Sequence, residues 1–514
     1  MPDRRDVWIA AALGLITSLL RLPFVGEILY HWDSINFALA LERFDVAAGQ
    51  PHAPGYPLYV VVCRLVNLIL PGPQQALVAI SVVGSGLAVA TLYLLGVEMF
   101  DAAVGFGAAL LLASSPLFWF YGEIALPHSL DAFVAIAAVW FFWRIARGER
   151  SLLVPAAIWL GIAGGLRPQT QIFLAPLAFY ATCRGARRTG ARVWIASIAS
   201  AIVVLLVVDL LWFIPLIQLS GGLERYLQTT EAEHLKLGST TSILSGGGLW
   251  GLRRNGLKLS MYTLYGWCGG LALLGGGVLR RALDGRGWGR LEVWAVLALW
   301  MAPSLVFYEF IHMGQQGLVF VFLPALLLAS AAAVRPLTGS WRVAAGAAVA
   351  LNAVVFLFAP TFPLGGDRPK LLTRQTLRQH DDLYRRRFEA IGTRFPPANT
   401  AVLSSQWRFP QYYLPQYRLL SYAVVSRWEL GEGESAMRGT RELDERTLGV
   451  SPDATGARYV LLLDEELVPF DADPSRLEWL DLEGGGRMSF MRLRDGEGLR
   501  LGHDSFGIVA AAGK

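Results

Sequence analysis

Charge is scarce in this chain of 514 residues: 17% are charged against 54% hydrophobic, a shortage that excludes an ordinary water-soluble enzyme. Cysteine is scarcer still. Cys63, Cys183 and Cys268 lie in or beside apolar segments at unrelated spacings, so neither a disulfide framework nor a zinc motif is present, and all three read as small buried residues. The apolar runs do not alternate with polar residues, which excludes the strands of a membrane barrel. No small-residue cleavage site follows the first run, Val7 to Phe24 behind Arg4 and Arg5, which therefore reads as a retained helix. The formal net charge of +5 comes from arginines in short loops. Such a distribution reports membrane topology and excludes nucleic acid as a partner.

What is abundant is apolar helix. Runs of roughly 16 to 25 residues suit helices that cross a hydrocarbon core of about 30 Å. Predicted spans are 7–24, 76–98, 102–119, 127–146, 151–166, 170–183, 192–218, 258–279, 291–310, 317–334 and 341–360, about eleven crossings. With a cytoplasmic N-terminus, the loops on that side hold Arg4, Arg5, Arg144, Arg147, Arg150, Arg184, Arg187, Arg188, Arg192, Arg280, Arg281, Arg286, Arg290, Arg335 and Arg342. The short opposite loops hold far fewer, as the positive-inside rule requires. An odd number of crossings sends everything after Pro360 outside. The expected fold is an α-helical polytopic membrane protein over residues 1–360, followed over 361–514 by a small extracytoplasmic α/β domain. Preference for arginine over lysine, with abundant alanine and glycine, points to a GC-rich bacterium, hence to an inner membrane with a periplasmic outer face.

Three outer segments interrupt the bundle: 25–75, 219–257 and the Tyr308-to-Gln316 connection. In the first, Ile35 to Phe44 and 57–70 read as helices lying at the interface. In the second, Gly221-Gly222 and Gly246-Gly247-Gly248 flank a polar middle, predicting a mobile loop that orders on ligand binding. The tail has charged runs such as Arg385-Arg386-Arg387, then apolar stretches near Ala401 to Leu403, Arg418 to Tyr422 and Tyr459 to Leu463. A hairpin is expected to pivot on Gly484-Gly485-Gly486, with Met488, Phe490 and Arg492 alternating against Ser489, Met491 and Leu493. The tail carries no nucleotide-binding glycine loop.

Chemistry-bearing residues gather in the outer segments. Asp33, in His31-Trp32-Asp33-Ser34-Ile35-Asn36 shortly beyond the first span, suits a general base or, alternatively, the cap of a helix beginning at Ser34. In His52-Ala53-Pro54-Gly55-Tyr56-Pro57-Leu58-Tyr59 the prolines and glycine set a turn, and Pro57 opens a helix. The amides of Leu58 and Tyr59 would suit a phosphate, with His52 as a further donor; a rigid turn with a packing tyrosine is the alternative. Arg167 stands between two short apolar segments, where an ionisable residue near the bilayer is a functional candidate. Arg253, Arg254 and Lys258 would clamp a phosphate or snorkel to head groups. His128 and Asp131 share a helix face, as a local polar pair or with His128 binding substrate, and His312 lies in the outer turn Tyr308 to Gln316, a plain polar loop being one reading of it.

Trp32-Asp33 with Asn36, followed by His-Ala-Pro-Gly-Tyr-Pro-Leu-Tyr, resembles the opening of the GT-C superfamily of membrane glycosyltransferases. The likeness is to the protein O-mannosyltransferase and aminoarabinose-transferase type, whose members share an H-x-P-G-Y-P-L-Y signature. The motif likeness covers mainly residues 25–135; span pattern and outer tail agree over the rest. It implies a polyprenyl-phosphate-linked sugar donor, an acid of the first outer loop as base, here Asp33, and inversion at the sugar carbon. Some members carry paired acids, whereas Ser34 follows Asp33 here, so the next acid is Glu123 in Tyr121-Gly122-Glu123. Glu123 would bind acceptor, orient Asp33 or help hold a divalent metal. Tyr56 and His52 fall in the shared signature, and a His-and-Gly turn before a Leu-Pro-Ala-Leu helix gives His312 a donor-contacting role. The acceptor is left open among protein, glycolipid and polysaccharide. Competing readings are a transporter or flippase of a lipid-linked glycan and a noncatalytic lipid-glycan-binding member of the same fold. A transporter would show paired internal repeats, which are absent from the sequence.

Overall fold

The computed structural model describes residues 2–283, 291–334, 340–360, 371–404, 406–421, 457–463, 475, 477–493 and 509–510. Of the predicted cytoplasmic arginines, Arg286, Arg290 and Arg335 lie outside them, as does Tyr422 of the second apolar stretch of the tail. The chain divides into two compact units. One comprises Met1–Gly26, Asn36–Phe362 and Leu371–Thr376; the other comprises Glu27–Ile35, Pro363–Lys370 and Leu377–Lys514.

The helices of the first unit, in chain order, begin with α1 (Arg4–Arg21), α2 (Trp32–Glu42, whose first residues Trp32–Ile35 fall in the other unit), α3 (Pro57–Asn67), α4 (Pro73–Met99) and α5 (Ala102–Ser114). There follow α6 (Pro116–Tyr121), α7 (His128–Ala146), α8 (Leu153–Leu166), α9 (Pro168–Thr189) and α10 (Ile195–Leu219). The remainder are α11 (Leu223–Thr241), α12 (Gly248–Leu283), α13 (Leu291–Phe310), α14 (Leu323–Val334) and α15 (Ser340–Phe358). Most predicted spans fall on one helix of this series, but 102–119 breaks at Ser115 between α5 and α6, and of 317–334 only Leu323–Val334 is α-helical. The helical segments Arg4–Phe24, Pro73–Met99, His128–Ala146, Ala191–Leu219 and Leu291–Phe310 are long and apolar enough to cross a membrane. Helix α10 shows what lipid exposure requires: only Ala201 and Leu216 are buried along it, while Val203, Leu206 and Leu211 stand open.

Helix α4 is the opposite case and packs against α1, α5 and α7. Small residues let it do so. A Cβ on Gly14 of α1 would lie 2.9 Å from the Gly86 carbonyl oxygen, and one on Gly84 2.8 Å from the Leu130 nitrogen of α7. Backbones thus touch directly, the packing that small residues permit where no hydrophobic drive exists between helices.

Two expectations change. The segment 219–257 contains helix α11 and the first turns of α12, because its glycines fall at the breaks: Gly221, Gly222, Gly246 and Gly248 all have positive φ, a conformation glycine adopts without steric cost. Helix α2 does not lie with an apolar face outward. Phe37, Ala38, Ala40 and Leu41 are all buried. Helix α3 retains the interfacial pattern, exposing Val61 and Leu65 while burying Tyr59, Val60 and Cys63.

The second unit is built on α16 (Arg374–Arg394), α17 (Arg408–Tyr413) and a sheet of β1 (Thr400–Ser404), β2 (Arg418–Ser421), β3 (Tyr459–Leu462), β4 (Glu478–Asp481), β5 (Arg487–Arg492) and β6 (Val509–Ala510). The order is β4-β5-β3-β1-β2-β6, with β1 parallel to β2 and β3, and β5 antiparallel to β3 and β4. The apolar stretches of the tail supply β1 to β3. The expected hairpin is β4–β5, turning through Gly484, Gly485 and Gly486 at φ 81°, 103° and 88°. Its alternation does not separate core from water. Met491 joins a cluster with Leu403, Leu420 and Leu462, whereas Met488 and Phe490 join one with Ile391, Phe395 and Leu461, so apolar residues cover both faces of the strand.

Candidate functional site

In the helical unit, several connections predicted to lie on the outer side meet one another. Arg167, extended at the junction of α8 and α9, is 4% exposed. Its Nη1 donates to Asp131 Oδ2 at 2.8 Å and its Nη2 to the Tyr308 hydroxyl at 3.4 Å, while Thr170 Oγ1 donates to the other Asp131 oxygen at 2.6 Å. Asp131 therefore pairs with Arg167 and not with its helix neighbour His128. His128 Nε2 lies 2.9 Å from Gln315 Oε1, and its ring meets Tyr121 edge-on.

A second cluster forms where α11 and α13 end and α12 begins. Asn255, wholly buried, donates from Nδ2 to the carbonyls of Thr241 (2.9 Å) and Glu309 (3.2 Å) and accepts from the Met313 amide at 3.2 Å. This residue carries no sequence motif, yet it ties three helix ends together. Around the knot, Arg254 Nη1 donates to the Met313 carbonyl at 3.3 Å, and His312 Nδ1 lies 3.1 Å from Thr241 Oγ1. Burial lowers the His312 pKa to about 4, with Arg254 and Lys258 adding to the effect. The i, i+4 pair Arg254 and Lys258 thus shares a face toward His312, whereas Arg253 is exposed.

The His52 turn is compact. Its Gln50–Pro51 and Ala53–Pro54 peptides are cis, Gly55 has φ 110° and Tyr56 φ 47°. Pro57 occupies the first turn of α3, and Tyr56 makes no side-chain cap. The rings of His52 and Tyr56 both meet Phe37 of α2, at 5.5 and 5.2 Å. Tyr226 of α11 holds the turn by donating to the Pro54 carbonyl at 3.2 Å. A left-handed conformation at a non-glycine residue costs on the order of 1–3 kcal/mol and collects at functional sites.

Glu123 follows α6 and is fully buried. Burial drives its carboxyl well above the usual range, opposed by Arg21 and Arg374. Arg21, itself buried, donates to the Ala113 carbonyl at 2.7 Å with its guanidinium 4.6 Å from the centre of the Trp119 ring. Among the described residues no group of three or more His, Cys, Asp or Glu gathers to hold a metal ion. Asp209 of α10, whose Oδ2 accepts from Gln171 at 2.9 Å, is absent from the sequence-based candidates, although an acid inside an apolar run is itself a signal.

Asp33 belongs to the second unit. It does not cap its helix. Helix α2 starts at Trp32, and His31 does the capping: its carbonyl accepts from Ser34 and Ile35, and its Nδ1 accepts from the Asp33 amide at 3.1 Å. The same nitrogen lies 3.6 Å from Asp33 Oδ2, the two side chains being 37% and 17% exposed. Trp32 meets Trp407 edge-on at 5.3 Å, and Arg408 lies over Trp407 at 4.3 Å.

Apolar helices joined by polar turns, with an α/β tail, make a fold similar to that of solved ArnT structures. Residues 51–212 match the family model described as dolichyl-phosphate-mannose-protein mannosyltransferase. The crystal structure of ArnT from Cupriavidus metallidurans bound to undecaprenyl phosphate is similar, with TM-score 0.58 and 11% identity over 94% of this chain and 97% of that one. ArnT from the same organism in the apo state gives TM-score 0.55 and 14% identity over 94% and 97%. No curated protein matches the chain by sequence.

Proposed function

We propose that this protein is an inverting glycosyltransferase that moves a sugar from a polyprenyl-phosphate carrier to an acceptor hydroxyl on the extracytoplasmic side of a bacterial inner membrane. The observation that carries the reading is the match of residues 51–212 to a mannosyltransferase family model within a GT-C fold. A structure of similar fold, ArnT, was solved with undecaprenyl phosphate.

Such a transfer needs a base for the acceptor hydroxyl and cations for the departing phosphate. Asp33 takes the first role: it is partly exposed, and His31, not Asp33, caps the helix. Arg254 and Lys258, half-buried beside His312, take the second. Arginine suits phosphate by bidentate donation, and a neutral His312 adds a donor without repelling either cation. Arg253 serves at most from the exposed face. The His52–Tyr56 turn and the start of α3 offer further donors, and His128 with its partner Gln315 adds polar groups at the α13–α14 connection. Arg167 holds Asp131 and contributes shape, and Glu123, fully buried with its carboxyl raised by burial, serves the packing of the helical unit. Whether protein, glycolipid or polysaccharide receives the sugar is decided by acceptor screening.

The test is turnover by the purified full chain in liposomes, with undecaprenyl-phosphate-linked mannose and aminoarabinose as donors. Asp33→Asn should lower kcat at least about 10²-fold while binding of undecaprenyl phosphate stays within about twofold. Wild-type turnover in the variant removes Asp33 as base.

A further inference from the structure

Residues 27 to 31 form neither helix nor strand, so their backbone N–H groups need acceptors from elsewhere. The first three find side chains encoded far downstream. The amides of Glu27 and Ile28 donate to Asp381 Oδ2 and Oδ1 at 2.8 and 3.3 Å, and the Leu29 amide donates to the Tyr413 hydroxyl at 2.8 Å. Ring contacts continue the attachment, Tyr30 on His380 at 4.8 Å and Trp32 on Trp407 at 5.3 Å. Arg385 pairs with Glu27. Ile28 and Leu29 are buried, as is Asp381, so these amides have little access to water as a substitute.

We infer that Asp381 and Tyr413 are positioning residues for Asp33, holding the strand of chain that carries it; the inference rests on Asp33 being the base. Hydrogen bonds of a carboxylate are charge-assisted and strong, and two successive amides on its two oxygens fix the direction of the chain. Stacking of Tyr384 on Phe409 at 4.6 Å and of Phe388 on Tyr413 at 5.0 Å makes α16 and α17 a stiff support. From Leu29 the chain runs only four residues to Asp33, two of them ring-anchored, before His31 caps α2. Nothing in the sequence near Asp33 announces this dependence. It gives the C-terminal unit a task in catalysis through the chain that it holds.

Asp381→Asn keeps the shape but turns one acceptor into a donor facing an N–H group, and Tyr413→Phe removes the acceptor of Leu29. Both are to be made in the full chain and read by hydrogen–deuterium exchange over residues 27–35, by steady-state kinetics with the donors above, and by binding of undecaprenyl phosphate alone. A misplacement of about 1 Å costs roughly 10²-fold in rate. We expect Asp381→Asn to raise exchange at Glu27 and Ile28 and to lower kcat by about 10- to 100-fold, with donor KM and carrier binding within about twofold. Tyr413→Phe should do the same at Leu29 with a smaller fall, and it decides the matter if Asp381→Asn does not fold. Unchanged exchange, or loosened exchange with kcat within about twofold of wild type, overturns the inference. So does a loss of carrier binding parallel to the loss of kcat. Asp33→Asn separates the two readings: if it is inactive while both anchor variants turn over normally, the base stands and the anchor falls; if it is active, the base reading fails even where exchange shows the anchoring.

Discussion

The Arg167–Asp131 pair is costly to disturb, since both residues are buried and both Asp131 oxygens are occupied. Removing one member of such a pair strands the other charge and costs about 3–5 kcal/mol. Arg167→Ala should therefore lower thermal stability in detergent by that order, read by unfolding monitored with tryptophan fluorescence, and Asp131→Leu combined with it should recover part of the loss. A second residue-scale expectation concerns pH. His312 has its pKa lowered from 6.5 to about 4 by burial and by Arg254 and Lys258. The folded protein then binds fewer protons than the unfolded chain between those values, so stability is full above pH 6.5 and declines as pH falls toward 4. His312→Gln should flatten that part of a melting-temperature profile; an unchanged slope assigns it to other groups. The sequence marks Arg167, His312, Arg254 and Lys258 as ionisable residues in apolar surroundings. It does not pair them, because their partners stand on other helices: 36 residues separate Asp131 from Arg167, and 71 separate Thr241 from His312.

At the scale of the element, α10 is apolar and exposed along most of its length, with Leu206 56% exposed near its middle. Leu206→Arg should raise the apparent cost of insertion by about 3–4 kcal/mol, visible as less full-length protein in the membrane fraction than for Leu206→Ala. Helices of this kind are legible because a long unbroken apolar run suits a bilayer and little else, and among the described residues five of the predicted spans fall on helices long and apolar enough to cross. The β4–β5 hairpin is legible for a similarly local reason, three glycines between short apolar runs. Helix α11 is not. Its sequence, Leu223 to Thr241, is polar on most of its circumference, and the flanking glycines suggest flexibility when their role is to end one helix and begin the next. Nor does local pattern show that α2 is buried, since that depends on the His52–Tyr59 turn coming back to meet Phe37.

For the whole molecule, the division into units cuts across sequence order. A segment of nine residues from the first outer connection, Glu27–Ile35, is grouped with the C-terminal α/β unit, whereas the sequence alone assigns everything before Pro360 to the membrane domain. Composition changes sharply near Thr361, but a short strap has no composition of its own to reveal where it attaches. The strap also imposes an order in time. Asp381 is encoded 354 residues after the Glu27 amide it receives, and at translation rates of about 5–20 residues per second the ribosome needs roughly 18 to 70 s to make the difference. On the proposal that Asp33 is the base and Asp381 its anchor, a chain still short of Asp381 carries the base without its support and should turn over little substrate until that residue has been made.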